Sequence, residues 1–155
     1  MPTIVSLLRH GRAAGQGAEA PLLPEGAEYV GALGKLLAAE GWRPAAAFSS
    51  PLTRAGETAR IVLAATAPGL VCTTLAELLP EADPAAALDA LLARGLPEGR
   101  TLVVAHMPLL ARLADQIAGE LLEFYPGTLA ELELGEGGGP GTLVRRIGPE
   151  EMGAA

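Results

Sequence analysis

Three stretches of this 155-residue chain have strand length, are apolar without alternation, and run straight into polar residues: TIVSLL at 3–8, AAAFSS at 45–50 and TLVVAH at 101–106. Runs of this kind suit strands buried on both faces of a mainly parallel sheet. Each is followed by a helical segment. EGAEYVGALGKLLAAEG sets Tyr29, Leu33, Leu36 and Leu37 at helical spacing and is closed by Gly41; SPLTRAGETARIVLAAT has Ser50 placed to cap it and Pro51 at the first helical position; MPLLARLADQIAG has Pro108 early and Gly119 past its end. LVCTTL at 70–75 reads as a further strand and PAAALDALLARG at 84–95 as a further helix. The alternating segments TLAELEL at 128–134 and TLVRRI at 142–147 flank EGGGPG and read as a closing pair of strands joined by a flexible turn. Strands and helices in this order predict an α/β protein, a three-layer α/β/α sandwich on a mostly parallel sheet. With no internal repeat or linker, residues 1–148 are expected to form one domain and 149–155 a frayed tail.

Composition narrows the function classes. Cys72 is the sole cysteine, so no intrachain disulfide forms, and with two histidines and no cysteine cluster a structural zinc site lacks ligands; no cofactor is expected. The formal net charge of −7 offers no basic face for a phosphate backbone, which argues against nucleic acid as a partner. No apolar run reaches the roughly 18 to 20 residues of a membrane span, and MPTIVSLLRHG lacks the basic start and cleavage site of a signal peptide, so no membrane association and a cytoplasmic location are expected.

Polar residues at the predicted strand ends fall into three groups: Arg9-His10-Gly11, Ser49-Ser50-Pro51 with Arg54, and His106-Met107-Pro108. In open α/β sheets the carboxyl ends of the strands form the ligand crevice, so groups far apart in sequence converge there. Both histidines of the chain belong to this set. Two guanidiniums, two imidazoles and two helix N-termini make a site for a small tetra-oxygen anion. Arg9 and His10 point the same way only if the chain leaves strand geometry between them, a turn that Gly11 eases.

LLRHGRA, SSPLTRAGETA and LVVAHMPLL, in this order, resemble the three signature segments of the histidine phosphatase superfamily, the phosphoglycerate mutase-like fold, over nearly the whole chain. The length and the segment FYPGTLAELEL are most similar to the short SixA-type phosphohistidine phosphatases. The resemblance implies that His10 is the nucleophile, forming a phosphohistidine enzyme that water hydrolyses, and that Arg9, Arg54 and His106 hold the phosphoryl oxygens. It implies a metal-independent hydrolase whose partner is a phosphorylated protein or a small phosphorylated metabolite. A neutral histidine nucleophile needs its second ring nitrogen to donate to a carbonyl or carboxylate.

Larger members use a glutamate after the third strand as general acid; here Glu77 is the choice, with Glu81 and Asp83 as alternatives. A phosphoramidate leaves readily with a proton from solvent, so a weak or absent enzymatic acid favours phosphohistidine as substrate. Little chain remains between Arg54 and His106 to build a lid, and an open site admits a protein side chain. The alternatives are a small-molecule phosphomonoesterase of the same fold and a non-catalytic module that binds phosphate or phosphoprotein. Glu57 and Thr58 read as helix-packing or arginine-orienting residues, Arg12 as a solvated loop arginine and Gln16 as a mobile loop residue; Trp42 and Cys72 read as packing residues.

Overall fold

The computed structural model describes residues 2–152. Its elements are β1 (Thr3–Arg9), α1 (Pro24–Ala39), β2 (Pro44–Ser49), α2 (Thr53–Thr66), β3 (Cys72–Thr74), a 3-10 turn (Ala76–Leu78), α3 (Pro84–Ala93), β4 (Gly99–Ala105), α4 (Leu109–Ala118), β5 (Leu129–Glu133), a second 3-10 turn (Glu136–Gly138) and β6 (Thr142–Ile147). The six strands form one sheet in the order β3-β2-β4-β1-β5-β6. Contacts from β3 through β1 are parallel, and β5 and β6 close the sheet antiparallel. Among the described residues no helix is long and apolar enough to cross a membrane.

The sheet divides the core into two layers. Leu33 and Leu37 of α1 and Val62 of α2 pack with Leu8 on one face, while Leu91 of α3 and Leu110 and Leu113 of α4 pack with Val5 and Leu7 on the other. Burial on both faces is why β1 reads as a continuous apolar run. The neighbours β1 and β4 therefore send their chains to opposite faces, β1 into α1 and β4 into α4, and the crevice of an open α/β sheet lies at such a divergence.

Several local expectations shift. Helix α2 begins at Thr53 with Leu52 as its uncapped N-cap residue, two residues later than Ser50 and Pro51 imply. The Ser50 hydroxyl instead accepts the Leu52 N–H and meets His106. Pro108 is the residue before α4 rather than its first. Strand β3 shrinks to three residues because it pairs only with β2, and Val71 just before it is exposed. Gly119 ends α4 in the left-handed region as expected, at φ 66°. The EGGGPG segment carries the second 3-10 turn between β5 and β6. Of the expected frayed tail, residues 149–152 form a turn in which Arg146 pairs with Glu150 and the Gly148 N–H donates to Glu151; residues 153–155 lie outside the described residues.

Glu131 departs furthest from a simple alternating strand. It is fully buried on β5, opposite Ser6 of β1, and accepts from Ser6 Oγ, Trp42 Nε1 and Arg100 Nε at 2.8 Å and from Arg145 Nε at 2.7 Å. Burial alone pushes its carboxyl up, but these donors outweigh it and hold the group below its ordinary value.

Candidate active site

Register at the carboxyl ends of the parallel strands builds the site. Arg9 lies opposite Ala105, and Ser49 opposite Val104. Beyond these pairs the His10 N–H donates to the Ala105 carbonyl and the Ser50 N–H to the Val104 carbonyl. His10, Ser50 and His106 therefore leave the sheet side by side, although up to 96 positions separate them (106 − 10). The two imidazoles face each other with centroids 4.9 Å apart, and both are buried.

A cleft of about 600 Å³ opens here, and Arg9, His10, Arg54 and His106 all line it. Arg12 and Gln16, both exposed loop residues, line its wall as well. The loop that carries them is tied to α2: Glu57 accepts the Leu22 N–H at 2.8 Å, and the Arg54 guanidinium donates to the Gly17 carbonyl at 2.8 Å. Arg9 is held from the other side, donating to the Phe124 carbonyl at 2.7 Å, with its Nε buried and without a protein partner. Burial draws the Arg9 guanidinium below its ordinary value.

His10 Nδ1 donates to the Gly11 carbonyl at 2.7 Å, the fixed-tautomer arrangement that a neutral nucleophile needs, which puts the lone pair on Nε2. Burial pushes His10 down to about 4, with Arg54 and Arg9 adding to the effect against the opposing Gly11 carbonyl. His106 is pushed down to about 3, by burial first and then by His10, Arg54 and Arg9. His106 Nε2 and Ser50 Oγ are hydrogen-bonded at 2.7 Å, while Nδ1 is buried without a partner. Gly11 serves by close approach rather than by easing a turn: a Cβ there would lie 2.9 Å from the Gly26 carbonyl oxygen of α1.

The acidic candidates stay outside. Glu77 is exposed on the first 3-10 turn, Glu81 is exposed, and Asp83 caps α3 by accepting the Ala86 N–H. Pro80 is what this segment contributes to the cleft, and no carboxylate is among the described lining residues. Ser50 belongs to the strand-end group the sequence brings to the crevice, but its contact to His106 was not foreseen, because a serine before a proline reads as a helix cap. It stands one residue beyond a strand end, like His10 and His106. Among the described residues no cluster of three or more histidine, cysteine, aspartate or glutamate side chains is placed to hold a metal.

The sequence profile described as histidine phosphatase superfamily (branch 1) matches residues 5–83, just over half of the chain. The chain belongs to the histidine phosphatase superfamily. Its structure is similar to that of the protein histidine phosphatase SixA complexed with tungstate, with a TM-score of 0.85 and 27% identity over 96% of this chain and 99% of that one. The putative phosphohistidine phosphatase SixA from Agrobacterium tumefaciens shares the fold at TM-score 0.80 and 23% identity, over 96% of this chain and 99% of that one. So does a phosphoglycerate mutase from Bacillus anthracis, at TM-score 0.75 and 18% identity over 98% and 95%. No curated protein sequence matches the chain. The histidine phosphatase profile spans the first two of the three signature segments, including Arg9, His10 and Arg54; the third, with His106, lies beyond it and joins them through the β1–β4 register.

Proposed function

We propose that this histidine phosphatase superfamily member is a cytoplasmic, metal-independent phosphohistidine phosphatase acting on a phosphorylated protein. The observation that carries the reading is the state of His10: a neutral imidazole with Nδ1–H committed to Gly11 and the lone pair on Nε2, in a cleft that three arginines line and no described carboxylate does. Its Nε2 lone pair attacks phosphorus, the P–N bond to the substrate histidine breaks, and the departing imidazole takes its proton from solvent. Water then attacks phospho-His10, breaking the new P–N bond and releasing inorganic phosphate. Arg9 and Arg54 are the equatorial clamp: each has one guanidinium nitrogen anchored on a backbone carbonyl, which orients the rest of the fork. A bound phosphoryl dianion raises His106 from its depressed value, so that it too donates.

The absence of Glu77 from the cleft favours the phosphoramidate substrate, since an ester leaving group needs an acid more. The similarity to SixA, whose structure holds the tetra-oxo anion tungstate, supports the same reading. The test is kcat/KM for a phosphohistidine-bearing protein domain against that for simple phosphate esters, with His10→Ala as blank and a chelator present. A ratio far above one, abolished in the folded variant and indifferent to the chelator, is expected. A ratio below one moves the substrate to a small ester, and turnover retained by His10→Ala removes the nucleophile assignment.

A further inference from the structure

We propose that Thr58 is a positioning residue that fixes the tautomer and orientation of His10 by clamping the Gly11 backbone to the first turns of α2. The proposal rests on His10 being the nucleophile. Thr58 is fully buried, and its hydroxyl donates to the Arg54 carbonyl at 2.8 Å while accepting the Gly11 N–H at 3.1 Å. The carbonyl of the same Gly11 accepts the His10 Nδ1–H. One side-chain oxygen thus joins the residue that holds the His10 proton to the backbone of the residue that carries a clamp guanidinium. On its other side Gly11 is stopped by α1 at Gly26, so the hydroxyl and the helix grip it between them.

The bond to Arg54 is by itself ordinary, since buried threonines in helices often donate to the carbonyl four residues back. Thr66, on the same helix, does this to Val62 at 2.9 Å, and that hydrogen bond stays within α2. Thr58 differs in accepting a backbone N–H from a segment 47 positions away. Without that acceptor the buried Gly11 N–H loses its partner, and the His10–Gly11 peptide unit keeps only the Gly127 N–H on the His10 carbonyl, so the Gly11 Cα can shift. The Gly11 carbonyl, on the next peptide unit, moves with that Cα and no longer holds Nδ1–H, and an imidazole protonated at Nε2 instead has no lone pair there with which to attack phosphorus.

The experiment is 15N NMR of the two imidazoles at neutral pH without substrate, together with kcat and KM, for the unaltered chain and for Thr58→Val, Thr58→Ser and Thr66→Val. In Thr58→Val the His10 signals should move from the Nδ1–H form toward a mixture, and kcat should fall up to about a hundredfold with KM little changed. Thr58→Ser should restore both, and Thr66→Val should disturb neither. Thr58→Ala is read in the same way if Thr58→Val does not fold. An unchanged His10 tautomer in Thr58→Val, with kcat equal to that of Thr66→Val, overturns the proposal. The spectrum needs no turnover, so a tautomer shift in a chain inactive on phosphohistidine upholds the clamp while removing the substrate reading.

Discussion

His10 and His106 are kept neutral chiefly by burial, and the chain has no other histidine. That arrangement ties stability to pH with a definite sign. An unfolded histidine takes up its proton near 6.5, whereas the folded groups do so at about 4 and about 3. Between these values the unfolded chain binds more protons, so the contribution is intact above pH 6.5 and is lost as the pH falls toward 4. Each unit of depression corresponds to about 1.4 kcal/mol, so urea unfolding at pH 5 should show a loss of a few kcal/mol against pH 7. His106→Asn should show a clearly shallower slope over the same interval; an identical slope would mean that His106 is not the group responsible.

Between elements, close approach and a buried charge network hold what the site needs. A Cβ at Gly26 would collide with the carbonyl oxygen of Arg12, which directly follows Gly11. Gly26→Ala should therefore destabilise by about 1–3 kcal/mol and also lower turnover, because the backbone that must move adjoins Gly11; thermal melts and kcat measured together check this. Glu131 lies on the strand beside β1, and Glu131→Ala removes the acceptor of Trp42 Nε1, Ser6 Oγ and Arg100 and leaves Arg145 with Glu40 alone. The expected cost is about 3–5 kcal/mol by chemical denaturation, far above the effect of removing the exposed Glu40 that also pairs with Arg145.

The elements were legible to different degrees for physical reasons. TIVSLL and TLVVAH declared themselves because strands covered on both faces leave no polar alternation. The insertion of β4 between β2 and β1 was not legible, since each strand reads the same whichever neighbour it takes. Ser50 was placed at the crevice but read as a cap, because capping chemistry and a contact to His106 call for the same hydroxyl. Glu77 was carried in by resemblance, with no local signal for where a short exposed turn would aim it. Glu131 drew no attention in an alternating segment because its partners come from elsewhere in the sequence.

For the whole molecule, a chain of net charge −7 presents a cleft lined by Arg9, Arg12 and Arg54 with no carboxylate among the described lining residues. Attraction for a phosphorylated partner is therefore local to the cleft rather than spread over the surface. The chain between Arg54 and His106 is spent on α2, β3, a 3-10 turn, α3 and β4, elements of the sandwich itself. One measurement tests the proposed role of His10 as nucleophile directly. In a rapid-quench single turnover with a 32P-phosphohistidine protein, label should pass first to His10, in acid-labile and base-stable linkage, and only then to inorganic phosphate. Label that reaches inorganic phosphate without ever residing on His10 would contradict it.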